Sequence, residues 1–529
     1  MTNYSTFSDG SASGSDAGAM ARPKRGRSPK QGGGQASMLS SNINLLNTIV
    51  GAGTLAMPHA MSQMGMLLGT TIILWSALTS AFGLYLQSRC ARYLDRGSSS
   101  FFALSQLTYP NAAVFFDAAI AIKCFGVGVS YMIIIGDLMP GVMRGFSTNA
   151  EAYPYLMDRH FWITAFMLVI IPLSFLRRLD SLKYTSVIAL ISIGYLIILV
   201  VYHFASDSIA ERGEVSIIHW NGPVAFLSSL PVVVFAYTCH QNMFSVLNEI
   251  KDNSPGSIVG VISSSIGSAA SIYVLVAITG YFTFGDNVLG NIVGMYPSSI
   301  ASTIGKAAIV ILVMFSVPLQ VHPCRASLDA VLRWRPNRNS REHSSSGHNS
   351  LPVASGQTDS HGAPVAAMSE FRFALLTTFI IVFSYITALT VSQLDRVLAY
   401  VGATGSTSIS FILPGLFYYK ISDPDSIHHQ RLAKEDDDAH AANSDDEDDD
   451  EAAVGFEASG SGILDDAGSV RSHRSQIHNN WLRLRRRWRW DLEHLEHGLL
   501  RKLALCLAIY GLCVMVVCLI LNIFFTVAH

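Results

Sequence analysis

About eleven separate apolar runs, each long enough for a helix to cross a bilayer, constrain this chain of 529 residues more than any other feature. A helix rises about 1.5 Å per residue and the hydrocarbon core is about 30 Å thick, so roughly twenty apolar residues make one crossing. The runs fall at about 41–60, 65–93, 112–139, 160–176, 182–204, 222–242, 257–282, 299–320, 371–393, 395–419 and 499–525. The ninth and tenth are parted only by "QLDR", and the first and sixth are interrupted. Half of the residues are hydrophobic and 14% are charged, against about 25% in an ordinary soluble domain. The sequence therefore predicts an all-α integral membrane protein. Residues 1–37 are polar, rich in Ser and Gly, and lack the apolar core of a cleavable signal peptide.

Basic residues orient the spans. With the N-terminus in the cytosol, the inner side receives Arg22, Lys24, Arg25, Arg27 and Lys30, then Arg89, Arg92 and Arg96, then Arg177, Arg178 and Lys183, then Lys251, and finally Arg325, Arg333, Arg335, Arg338 and Arg341. The opposite side receives only Arg144, Arg159, Arg212 and Arg396. Lys and Arg accumulate on the cytosolic side of membrane proteins, so the bias predicts a cytosolic N-terminus and, with an odd number of crossings, a lumenal C-terminus. The seven cysteines lie within spans or at their cytosolic ends, which argues against a disulfide framework. No zinc-type spacing is present, and "HPC" at His322 to Cys324 offers too few ligands for a structural metal.

The parts divide accordingly: a cytosolic tail at 1–37, helices one to eight in 38–333, a Ser-, Gly- and Pro-rich loop at 334–369, helices nine and ten in 370–420, a charged loop at 421–498 and helix eleven in 499–529. The tail and the first loop have compositions that cannot build a core, so disorder is expected of both. The second loop begins with "KEDDDAHAANSDDEDDDE" and ends in "WLRLRRRWRWDLEHLEHGLL". Its Arg483, Arg485, Arg486, Arg487 and Arg489, interleaved with Trp481, Trp488 and Trp490, fit a helix lying on an anionic cytosolic leaflet. Nucleic acid is a poor alternative partner for a segment tethered directly before a membrane span. The sequence indicates no oligomeric state.

Two spans are broken where lipid-facing helices should be continuous. "NLLNTIVGAGTLAMP" places Gly51, Ala52 and Gly53 inside span one, and "LPVVVFAYTCHQNMFSVLNEI" places Pro231 and then a polar string, Tyr237 to Asn242, inside span six. An unpaired backbone group in hydrocarbon costs several kcal/mol, so such breaks persist only where protein, water or ligand satisfies them. Close packing of small residues accounts for the first break on its own as well as a binding site does. Spans one and six correspond, however, if the chain is two halves of five, and paired interrupted helices point to a transporter's midplane site. Half-helix N-termini there offer amides to a carboxylate, and unwound carbonyls can take an ammonium.

At these residues the chain resembles the amino acid/auxin permease family. "NLLNTIVGAGTLAMPHAMSQMG" is similar to that family's first span, "VFAYTCHQNMFSVLNEIKD" to its sixth, "FSVPLQVHPCRASLD" to its eighth and "VGATGSTSISFILPGLFY" to its tenth. The long cytosolic loops look most like those of fungal vacuolar amino-acid transporters, with the animal system A and system N transporters as relatives. The resemblance implies a five-plus-five inverted repeat of the amino acid-polyamine-organocation type, an extra eleventh helix, no enzymatic activity and no bound cofactor. It implies secondary transport of small amino acids at a vacuolar, lysosome-like membrane, with the plasma membrane as the alternative. It also implies that Gly51, Ala52, Gly53 and Thr54 hold the substrate carboxylate, next to the span-six residues Phe235, Ala236, Tyr237, Thr238 and His240. Sodium-coupled members use an Asn in span one and a hydroxyl in span eight, which Asn47 and Ser316 match. Vacuolar relatives are driven by protons, so H+ is the expected coupling ion and Na+ the alternative.

Three ionisable groups bear on coupling. His240, beside the broken helix, titrates in the range of an acidic lumen when unperturbed, or else is a neutral imidazole bonded to a backbone carbonyl. Lys123 falls inside span three, where a buried cation is functional or paired by default unless it snorkels to the interface. Glu249 and Lys251 sit at the cytosolic end of span six, as a gate or structural pair. The ionisable side chains within the spans are too scattered for an enzyme site. A non-transporting amino-acid sensor with the same fold would carry the same residues.

Overall fold

The computed structural model describes residues 36–94, 97–147, 149–176, 185–206, 212–333, 368–427, 429–432 and 498–524. Almost all of the tail at 1–37, most of the loop at 334–369, and the acidic and Arg/Trp stretches between 433 and 497 lie outside the described residues. Among the described residues the regular structure is helical, with one isolated bridge between Ala36 and Ile250.

Eight helices are long and apolar enough to cross a membrane by length and composition: Met66–Ala91, Pro110–Phe146, Gly222–Glu249, Pro255–Asn287, Ile300–Arg333, Glu370–Thr390, Leu394–Ile421 and Gly498–Phe524. Two shorter apolar helices, Arg159–Ser174 and Ala189–Ala205, and the divided first helix, Met38–Ile49 with Ala52–Met64, supply the other crossings in the expected order. Below, these are spans 1 to 11 in chain order, with halves 1a and 1b. Span 6 likewise divides into 6a, Gly222–Ala236, and 6b, His240–Glu249. With five crossings in each half, the second half enters from the opposite face, so spans 1 and 6 run antiparallel and the repeat is inverted. Span 11 lies outside it.

Span 8 departs from the sequence expectation. It runs 34 residues, Ile300–Arg333, which at 1.5 Å per residue is about 51 Å, well beyond the expected end at 320. Pro318 and Pro323 lie inside it without ending it. Neighbouring spans can re-satisfy the groups a proline frees in a membrane helix. As a result Arg325, expected in a cytosolic loop, is buried within the helix. Its guanidinium donates to Thr377 Oγ1 at 2.9 Å and to Ser174 O at 3.3 Å, and lies 4.0 Å from the centroid of the Phe373 ring, which ties spans 8, 4 and 9. Span 3 packs along span 8, and 1b packs against spans 7 and 6a, so the two breaks meet in the interior. Span 10 is also irregular: residues 402–406 and 408–412 are π-helical, a form often found at functional sites.

Candidate functional site

The breaks in spans 1 and 6 lie side by side and share one side chain. Span 1a ends at Ile49, the backbone is extended at Val50, and 1b starts at Ala52. Span 6a ends at Ala236 and 6b starts at His240. Tyr273, buried on span 7, places its hydroxyl 2.6 Å from Ile49 O and 2.8 Å from Ala236 O. Its single proton thus serves the last carbonyl of each half-helix, groups that have no intrahelical donor. Its ring meets Tyr237 edge-on, with centroids 5.0 Å apart.

Around this bridge the break in span 6 is held from span 2. Ser80 Oγ donates to Tyr237 O at 3.1 Å and Gln87 Nε2 to His240 O at 2.9 Å. The fully buried His240 places Nε2 3.1 Å from Ser80 O, which fixes that nitrogen as the N–H donor, while Nδ1 has no partner. From 6b, Asn242 Nδ2 donates to Thr48 Oγ1 on 1a at 2.7 Å. Each freed backbone group named here is met by a side chain from another span, which is what allows the breaks to persist at membrane depth.

The residues expected to bind substrate divide into two groups. Asn47, Gly51 and Ala52 line a small cavity of about 70 Å³ with Tyr131 of span 3 and Ser316 of span 8. Asn47 Oδ1 is buried without a hydrogen-bond partner, and Ser316 Oγ donates to Leu312 O at 2.8 Å. Gly53, Thr54, Phe235, Ala236, Tyr237, Thr238 and His240 do not line that cavity and lie at the contact between the two breaks, all of them buried. A Cβ on Gly53 would stand 2.6 Å from Ala236 Cβ, so this glycine lets 1b close on 6a. A Cβ on Gly51 would meet nothing nearer than Tyr131 Oη at 3.9 Å.

Lys123 is 4% exposed and makes no ion pair among the described residues. Its backbone lies against Gly405 in the π-helical part of span 10, where an added Cβ would stand 2.8 Å from Lys123 Cβ. Asp137, at the far end of span 3, instead faces Arg159 at 3.7 Å.

Contacts bridge the elements on both faces. On the face opposite the N-terminus, His59 on 1b has Nδ1 2.9 Å from Val288 O and Nε2 3.8 Å from Asp395 of span 10. On the N-terminal face, Ala36 donates to Glu249 O and accepts from Lys251 N, both at 2.9 Å, which joins the start of 1a to the end of 6b. Glu249 and Lys251 take part in this closure through their backbones. The cavity is well below the roughly 300–1,000 Å³ of most ligand clefts.

Paired, antiparallel interrupted helices around an interior cavity form the inverted-repeat architecture of a transporter fold. The model of the transmembrane amino acid transporter protein family matches residues 34–437, and the chain belongs to that family, whose members are transport proteins and not enzymes. It is 44% identical over 391 residues to Vacuolar amino acid transporter 5 of Schizosaccharomyces pombe, covering 74% of this chain and 86% of that one. It is 42% identical over 408 residues to Vacuolar amino acid transporter 6 of Saccharomyces cerevisiae, covering 73% and 90%. Among solved structures it is similar to the inward-facing conformation of Mhp1, with a TM-score of 0.45 and 11% identity over 73% of this chain and 77% of that one.

Proposed function

We propose that this protein carries small amino acids across a vacuolar, lysosome-like membrane by alternating access, coupled to protons. The observation that carries this reading is the meeting of the two helix breaks at Tyr273. The names of the fungal relatives support the substrate class and the membrane. The first amide of 1b, at Ala52, lines the cavity beside Gly51, has no intrahelical acceptor and sits at the positive end of a half-helix, so it receives the substrate carboxylate. Ile49 O, next to the cavity-lining Val50, can accept a second hydrogen bond, so it takes the ammonium beside Tyr273. Thr54 and the 235–240 segment shape the wall behind that pocket.

Alternation follows from the two closures. Releasing the His59, Val288 and Asp395 contacts opens one face, and releasing Ala36 from Glu249 and Lys251 opens the other, while spans 3 and 8 stay packed. Lys123 is the first candidate for the coupling proton. An ammonium buried without an anion is costly, so proton loss and gain there are coupled to what stands nearby. His240 is the second.

A sodium-coupled reading has its own support. Asn47 and Ser316, from spans 1 and 8, meet in one cavity, and the unpartnered Asn47 Oδ1 is a neutral oxygen suited to a monovalent cation. Uptake by the purified chain in vesicles, under imposed proton and sodium gradients in turn, separates the readings. Proton coupling gives accumulation that survives sodium removal, whereas sodium coupling gives strict sodium dependence, with Asn47→Ala raising the sodium demand. A sensor binds amino acid without flux. At the surface, Arg483, Arg485, Arg486, Arg487 and Arg489 are proposed to hold anionic lipid of the cytosolic leaflet.

A further inference from the structure

A second cavity lies away from the transport site. It is a groove of about 600 Å³ between spans 3, 9 and 10, open on its outer side. Its floor is apolar, made by Phe125 and Val129 of span 3 with Val397 and Val401 of span 10. At one end, where span 9 stops at Thr390 and span 10 starts at Leu394, the lining becomes Thr390, Ser392, Gln393 and Arg396. A helix rises about 1.5 Å per residue, so Arg396 to Thr404 extends the groove about 12 Å from the membrane surface toward the midplane.

Arg396 sets the groove apart. Among the basic residues on the face opposite the N-terminus, Arg144 lies 3.3 Å from Glu151 and Arg159 lies 3.7 Å from Asp137. Arg396 is exposed and makes no hydrogen bond or ion pair among the described residues. An apolar trough open to hydrocarbon and headed at the interface by an unpaired guanidinium, an amide and hydroxyls complements a molecule with an acyl chain and an anionic head. A bare guanidinium pairs well with phosphate, the same chemistry by which basic pockets between spans on the cytoplasmic side bind phospholipid heads. A zwitterionic lipid fills the trough equally well, but its cationic head group offsets the attraction.

We propose that this groove is a binding site for one anionic phospholipid of the leaflet opposite the N-terminus, with its phosphate on Arg396 and an acyl chain along Val397 and Val401. The bound head stands one residue from Asp395, which lies 3.8 Å from His59 of span 1b, and the chain reaches the π-helical segment of span 10. The lipid is thus placed to bias the opening of that face.

The test counts lipids retained by the purified full-length chain, using intact-mass spectrometry after titration with phosphatidylglycerol or with phosphatidylcholine of the same acyl chains. The Arg483 to Arg489 run is proposed to hold anionic lipid of its own, so the comparison is wild type against Arg396→Gln. The variant is expected to lose one phosphatidylglycerol site, lowering that lipid's affinity at the site roughly fivefold, the order expected of one basic residue. Phosphatidylcholine binding should not change. Ile122→Trp, at an exposed position of the lining, should reduce retention of both lipids. Unchanged phosphatidylglycerol binding in Arg396→Gln would overturn the proposal. So would equal loss of the two lipids in that variant, displacement by inorganic phosphate, or exclusive occupation by a sterol.

Discussion

Tyr273→Phe removes one oxygen atom and isolates the bridge between the two broken helices. The ring remains, so its edge-on contact with Tyr237, with centroids 5.0 Å apart, is kept. What is lost is the donor 2.6 Å from Ile49 O and 2.8 Å from Ala236 O. Tyr273 is fully buried, so water does not simply take the place of the hydroxyl. Leaving a buried carbonyl without its donor costs about 1–3 kcal/mol, and the single shared proton argues for counting that cost once. The loss falls on the conformation in which both breaks are held together. If that conformation lies on the transport cycle, the same free energy lowers flux by roughly 5- to 150-fold. The assay is initial-rate uptake into vesicles, normalised to reconstituted protein, together with thermal unfolding in detergent. Both flux and stability should fall. Wild-type flux with wild-type stability would refute the role of Tyr273, and lost stability with wild-type flux would remove the bridged state from the cycle.

Two adjacent glycines should behave differently. Gly53→Val places a side chain where Ala236 Cβ already stands 2.6 Å away, so stability should fall by about 1–3 kcal/mol or more, read by thermal unfolding. Gly51→Ala has room, with Tyr131 Oη 3.9 Å away, so stability should hold while substrate affinity in a binding assay weakens several-fold. Lys123→Met should abolish accumulation driven by a proton gradient yet keep exchange of labelled for unlabelled amino acid, measured in the same vesicles. Ile421 ends span 10 and Asp423 pairs with Arg501 of span 11, so deletion of the rest of the loop, residues 433–480, should leave flux per molecule unchanged, and neutralising the five arginines at 483, 485, 486, 487 and 489 should release the isolated loop from anionic liposomes in sedimentation.

The crossings and both breaks are legible in the sequence because hydrocarbon enforces them: a polar string such as Tyr237 to Asn242 survives inside an apolar run only where protein, water or ligand meets it. The continuation of span 8 is not legible, because Pro318 and Pro323 are stop signals in water and only tertiary packing shows that the helix passes through them. The π-helical turns of span 10 are hidden for a related reason, since "GATGSTSIS" reads as small-residue packing and gives no sign of altered backbone pairing. Tyr273 carries no signal of its own because it is one of 19 tyrosines and its partner Ile49 lies 224 residues away in sequence. Apart from Ser316 on span 8, the site residues form one group in the sequence because they cluster along two segments. Packing separates Asn47, Gly51, Ala52 and Ser316 at the cavity from Gly53, Thr54 and the 235–240 segment behind it.

Proton-coupled carriage of amino acids by this chain is tested most directly by reconstituting it and following a panel of labelled amino acids under a pH gradient alone, in sodium-free buffer. Small amino acids should accumulate, and the accumulation should collapse when a protonophore dissipates the gradient. Binding without flux, or flux that appears only when sodium is supplied, would contradict it.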